Sequence, residues 1–346
     1  MSHAELRDLI GRFSFQKCRR GGQGFRRVLL QLFGFLGHGK SSFINTCKYV
    51  WEDAGYSNIA KASDDDEGHT MVRITYPLTQ TITLVDNRGF CKMGSYETGE
   101  IFAQLGNLLP LDTPVEWNEG FGLANRIVKA ENLVKVSDFI VPIFVYSAKK
   151  GICAEDENEL LELIVTARDL TGVYPIVVLT YKSSAKTNHV IRKFKTLGVE
   201  RIFALENYSL EDHRKSASKH EEVLSFLCEV IKDVEFQVSQ PRDPEEEMTE
   251  RKAFVLRYIH HNDLKFQFQH TEIEALREQS KLEDELRHQR EQHEQKIQED
   301  ERKHKEDMRR LEEEFQKLHE QPQSYKPSTY KDSKSKRRFS RKSWED

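Results

Sequence analysis

No stretch of this chain approaches the roughly 18 uncharged apolar residues that a membrane-spanning helix needs. Its two most apolar runs, 28–37 and 139–148, have only the length of buried strands. Cysteine is scarce too: Cys18, Cys47, Cys91, Cys153 and Cys228 are scattered, odd in number and form no C-x-x-C pair. That argues against a disulfide framework and leads us to expect reduced thiols and a cytoplasmic protein. No charged-then-apolar leader opens residues 1–20, so secretion is not expected. Net charge is only −4, too little for bulk attraction to nucleic acid or membrane. What abounds is charge of both signs, 32% of residues against 37% apolar, so the core must be concentrated in one part of the chain.

That part is the first two thirds. Runs rich in β-branched and aromatic residues at 27–33, 72–76, 81–86, 138–146, 174–181 and 201–205 read as strands. Helical spacing fills 40–51, 155–171, 187–195 and 220–234. Alternation of this kind predicts an α/β domain with a mostly parallel sheet covered by helices on both faces. Residues 77–80 are too few for a parallel crossover, so the second and third strands should form an antiparallel hairpin.

Beyond Gln240 the composition changes. We divide the chain into an N-terminal extension (1–25), the α/β domain (26–240), a linker or packing helix (241–268), a charged helix (269–321) and a disordered basic tail (322–346). The charged helix lacks Gly and Pro, and His304, Met308, Leu311, Phe315 and Leu318 follow a 4-3-4-3 spacing. Two readings stay open: a coiled coil joining two copies, or one solvated helix held by i,i+4 ion pairs. The tail, with Arg337, Arg338, Arg341 and Lys342, could contact an acidic surface or address the nucleus.

The chemistry is concentrated between the first strand and the first helix. Gly34-Phe35-Leu36-Gly37-His38-Gly39-Lys40-Ser41 matches G-x-x-x-x-G-K-S, in which backbone N–H groups and a helix N-terminus cradle phosphates. In that pattern Lys40 reaches the β- and γ-phosphates, Ser41 offers its hydroxyl to Mg²⁺ and Ser42 extends the turn. Asp86 ends an apolar strand and is followed three residues later by Gly89. The carboxylate could hold Mg²⁺ through water, and the glycine could bring its N–H to the γ-phosphate. Thr70, beside the acidic loop 64–68, is the candidate for a third Mg²⁺ oxygen, with Thr75 as its competitor. A P-loop fold of the GTPase type is therefore expected, holding Mg²⁺ and GTP or GDP, with ATP also open.

Base recognition and catalysis depart from that pattern. Where Asn-Lys-x-Asp is usual, the chain has Thr180-Tyr181-Lys182-Ser183, without the carboxylate. Lys182 could still lie along a base plane, and Glu206-Asn207-Tyr208, after the last strand, occupies the loop that normally covers the base. Phe90 follows Gly89 where many such proteins carry a water-orienting Gln. Any catalytic role falls to Lys40, to His38 or to a residue from a second copy.

The octet with Ser42-Phe43-Ile44-Asn45, Asp86-x-x-Gly89, the altered 180–183 loop and Asn207-Tyr208-Ser209 resemble the interferon-induced protein 44 family of P-loop, GTPase-like proteins. The resemblance covers residues 26–234, and the chain also looks like the immunity-associated GTPases. It implies nucleotide binding in the cytoplasm in a defence context; the charged tail lies outside it. The expected function is a guanine-nucleotide switch with slow or dimer-stimulated hydrolysis, working on a protein effector that the sequence does not name. A nucleotide-stabilised scaffold acting through its helix and an ATP-using enzyme are the alternatives.

Overall fold

The computed structural model describes residues 1–60, 72–90, 96–114 and 121–319. Within them the chain alternates strand and helix, beginning with α1 (His3–Arg12), β1 (Arg27–Phe33) and α2 (Lys40–Glu52). A hairpin of β2 (Val72–Pro77) and β3 (Ile82–Asp86) follows, then α3 (Tyr96–Leu105), the two-residue β4 (Thr113–Pro114) and α4 (Phe121–Ala130). The second half runs β5 (Asp138–Ser147), α5 (Ala154–Thr171), β6 (Ile176–Thr180), α6 (Thr187–Thr196), β7 (Ile202–Ala204), α7 (Ala217–Gln237) and α8 (Pro244–His319).

Seven strands form one sheet in the order β4-β2-β3-β1-β5-β6-β7. Pairing is parallel from β3 across to β7, while β2 pairs antiparallel with both β3 and β4. The expected hairpin forms, with Pro77 inside β2 and residues 78–81 as the short connection. Side chains of the central strands alternate between two apolar layers. On one face of β5, Phe139, Val141, Ile143 and Val145 share a layer with Phe43 and Ile44 of α2 and Leu224 and Leu227 of α7. Phe144 and Tyr146 face the other way, toward Phe102 of α3, Leu163 of α5 and Phe194 of α6. This two-sided burial is why β5 reads as one continuous apolar run.

Three helices go beyond the sequence reading. The N-terminal extension forms α1, capped by a reciprocal Ser2–Glu5 box, and buries Leu6 and Ile10 in the layer that contains α7. The segment after Gly89 supplies α3 and α4, and the unexpected β4 extends the sheet edge. Arg73 of β2 ties this region together. Its fully buried guanidinium donates to Asn87 Oδ1 at 2.9 Å and to the carbonyls of Leu109 and Gln104, both at 2.6 Å.

The chain divides into two compact units after Phe268. In the first, the start of α8 buries Val255 and Ile259, and Arg251 Nε donates to the Gly106 carbonyl at 3.0 Å. In the second, every described side chain from 269 to 317 is exposed, including Met308, Leu311 and Phe315. Ion pairs such as Lys303–Glu299 at 3.0 Å and Arg310–Glu306 at 3.4 Å run along that helix. No described helix is long and apolar enough to cross a membrane. The basic tail lies outside the described residues.

Candidate functional site

Register aligns the carboxyl ends of the strands. Leu32 of β1 sits beside Asp86 of β3, Phe33 beside Phe144 of β5, and Ser147 of β5 beside Thr180 of β6. The chain leaves β1 for β3 on one side and later places β5 on the other, so the loop after β1 opens at a topological switch point. In open α/β sheets that is where ligands bind. The loop can form because residue 34 is glycine: its φ is +145°, and a Cβ there would overlap the Val145 carbonyl oxygen.

Gly39 caps α2. Among the described residues, the N–H groups of Gly37, Gly39, Lys40, Ser41 and Ser42 have no protein acceptor, so five donors converge at the positive end of a 13-residue helix. Lys40 folds back over the loop, its ammonium donating to the carbonyls of Gly34 at 3.2 Å and Phe35 at 3.1 Å. Burial lowers its pKa to about 8, against the opposing pull of the Asp86 charge.

Asp86 arrives from β3. Its Oδ2 accepts from Ser41 Oγ at 2.9 Å, while Oδ1 is buried with no partner. Burial pushes this carboxyl up; the Lys40 charge and the Ser41 hydrogen bond pull it back. An orphaned carboxylate oxygen beside a hydroxyl fits a hard cation such as Mg²⁺, which takes oxygen ligands and usually retains water. Gly89 closes the group. A Cβ on it would lie 2.6 Å from Lys40 Nζ and 2.8 Å from Leu36 Cδ2, so only glycine lets the two segments meet without displacing the lysine. Their backbones are joined directly, Leu36 N–H donating to the Phe90 carbonyl at 3.1 Å. Thr70 and the acidic loop 64–68 lie outside the described residues. Thr75 binds Asp112 Oδ1 at 2.8 Å through its N–H and at 3.0 Å through its hydroxyl.

Phe90 and His38 are both core residues. Phe90 is 1% exposed, with its ring centroid 4.5 Å from that of Phe35. His38 is 6% exposed, edge-on to Tyr146 at 4.7 Å, and its Nδ1 accepts the Ser147 N–H at 3.2 Å. Burial first, then the Lys40 and Lys150 charges, lower its pKa to about 3. The neutral ring therefore carries its proton on Nε2. Because the unfolded chain would protonate this histidine near its ordinary value while the native chain does not, stability should fall as pH drops from 6.5 toward 3. Chemical denaturation at pH 6.5 and 4.5 should show wild type losing about 2 kcal/mol more than His38→Gln over that interval.

The loops after β6 and β7 meet the other flank. Thr180 Oγ1 donates to the His38 carbonyl at 2.9 Å, and Asn207 Nδ2 to the Gly39 carbonyl at 3.3 Å. Asn207 Oδ1 is buried and unpartnered. Lys182 is not drawn to the loop: its ammonium pairs with Glu222 of α7 at 2.7 Å. Glu206, which the sequence reading places in the same loop as Asn207, accepts the Ser183 N–H through Oε2 at 2.9 Å. No protein-family model matches the chain, and no curated protein matches it.

Proposed function

We propose that this chain is a P-loop protein that binds Mg²⁺ and a guanine nucleotide at the loop between β1 and α2, and works as a switch with slow or dimer-stimulated GTP hydrolysis. The observation that carries the reading is the convergence of Lys40, Ser41, Asp86 and Gly89 at the start of α2, with Asp86 Oδ1 buried and unpartnered. A strand order of β2-β3-β1-β5-β6-β7 with β2 antiparallel is the layout of GTPase-type domains, and supports the same reading.

The unpaired N–H groups of Gly37, Gly39, Lys40, Ser41 and Ser42 would receive phosphate oxygens. Lys40 would exchange its two carbonyl partners for the β- and γ-phosphates. Ser41 and Asp86 would hold Mg²⁺, which when bound neutralises charge on those phosphates. Thr180 and Asn207 fix the far side of the loop. A switch needs an element that differs between nucleotide states, and Gly89 lies so close to the lysine that a Cβ on it would be 2.6 Å from Lys40 Nζ. The exposed apolar positions on α8 are where a second copy would pair.

A scaffold that binds without turnover is the second reading, and Phe90 favours it: a buried phenyl ring cannot orient water. Equilibrium binding of GTP and ATP to the full chain, with phosphate release followed in parallel, separates the readings. GTP should bind more tightly and turn over slowly. A tenfold preference for ATP, about 1.4 kcal/mol, would sink the guanine reading.

A further inference from the structure

Guanine offers two adjacent donors, N1–H and the 2-amino group, and a carboxylate with two acceptor oxygens answers both. Ser183 stands where the loop after β6 would carry that carboxylate. Yet a carboxylate is present there. It comes from the neighbouring loop: Glu206 Oε2 accepts the N–H of Ser183 itself at 2.9 Å.

The two loops are fastened together on either side of this contact. Leu205 N–H donates to the Leu179 carbonyl at 2.8 Å, and Lys182 N–H to the Leu205 carbonyl at 3.3 Å. Asn207, the next residue, is bound to the Gly39 carbonyl, so Glu206 is one residue from the clamp on the phosphate loop. Nearby Glu222 is engaged by Lys182 at 2.7 Å and by Ser218 at 3.1 Å. Among the described residues, Glu206 Oε1 has no partner, and Ser183 is exposed. One oxygen is therefore anchored and the other is free.

We infer that Glu206 supplies in this chain the base-reading carboxylate that the loop at Ser183 lacks, and so selects guanine over adenine. The inference rests on the nucleotide reading above. A carboxylate repels xanthine, whose 2-position carries an acceptor oxygen in place of the amino group, whereas an amide can donate to that oxygen and still accept from N1–H. Glu206→Gln should therefore exchange one preference for the other.

The test is equilibrium binding of GTP, XTP and ATP, each with Mg²⁺, to the full chain. Wild type should prefer GTP; Glu206→Gln should lose at least about tenfold in GTP affinity and bind XTP more tightly than wild type does. Placing Ser183→Asp in the Glu206→Gln background should restore GTP preference, which a merely damaged loop would not do. An unchanged GTP-to-XTP ratio in Glu206→Gln overturns the inference. Equal wild-type affinity for GTP and ATP overturns it as well, while leaving the phosphate site intact. Absence of any triphosphate binding by wild type removes the phosphate site and this inference together.

Discussion

Lys40→Ala should weaken triphosphate binding by about a hundredfold or more while leaving the chain folded. The ammonium is the only side-chain cation bonded to the loop's own carbonyls among the described residues, and a charged hydrogen bond contributes about 1.5–3 kcal/mol, with two phosphates to serve. The unliganded fold has less to lose. Burial already opposes the charge, as its lowered pKa of about 8 records, so deletion removes a desolvation cost along with two carbonyl contacts. Titration with GTP alongside circular dichroism reads both quantities. Retained affinity in a folded variant would mean that the loop does not hold phosphate.

Asp86→Asn should remove the metal dependence of binding. In wild type, chelating Mg²⁺ should weaken GTP binding at least about tenfold, because Ser41 and Asp86 then face the phosphates without a cation between them. In the variant, chelation should change little. Asparagine retains the shape and can still accept from Ser41, so the loss would reflect charge rather than collapse. GTP titrations with Mg²⁺ and with a chelator, on both proteins, supply the comparison. Equal metal dependence in the two would place the cation elsewhere.

Most of the sheet was legible because its strands are buried on both faces, and uninterrupted β-branched and aromatic runs such as 138–146 leave little ambiguity. The hairpin followed from four connecting residues. Helix α3 escaped because polar Thr98, Glu100 and Gln104, each 1% exposed, are buried together with Ile101, Phe102 and Leu105, so its apolar residues form a short run rather than a stripe at helical spacing. Glu100 is instead paired with Arg126 at 2.7 Å. Helix α1 carried a readable signal in Ser2 and Glu5, spaced as a capping box.

The site divides along the same line. Gly34, Lys40, Ser41, Asp86 and Gly89 were legible because a fixed spacing encodes a loop conformation and one strand end. The flank proposed to face a base was less so, since it depends on which of two loops projects which group. Sequence alone offered Lys182 for the base plane, but Glu222 on a distant helix competes for its ammonium. Nothing in linear order announces that Glu206 reaches back to Ser183. A histidine inside a phosphate loop reads as partly exposed, yet His38 packs among Phe35 and Tyr146, a consequence of which aromatic rings the strands bring beneath the loop.

The most direct measurement locates the ligand on the backbone. Amide chemical shifts of the full chain, followed by NMR during titration with Mg²⁺ and a non-hydrolysable GTP analogue, should change at Gly37, Gly39, Lys40, Ser41 and Ser42, with accompanying changes at Gly89, Ser183 and Asn207. Saturation that leaves the amides of 37–42 unmoved, or moves only residues remote from the start of α2, would contradict the account.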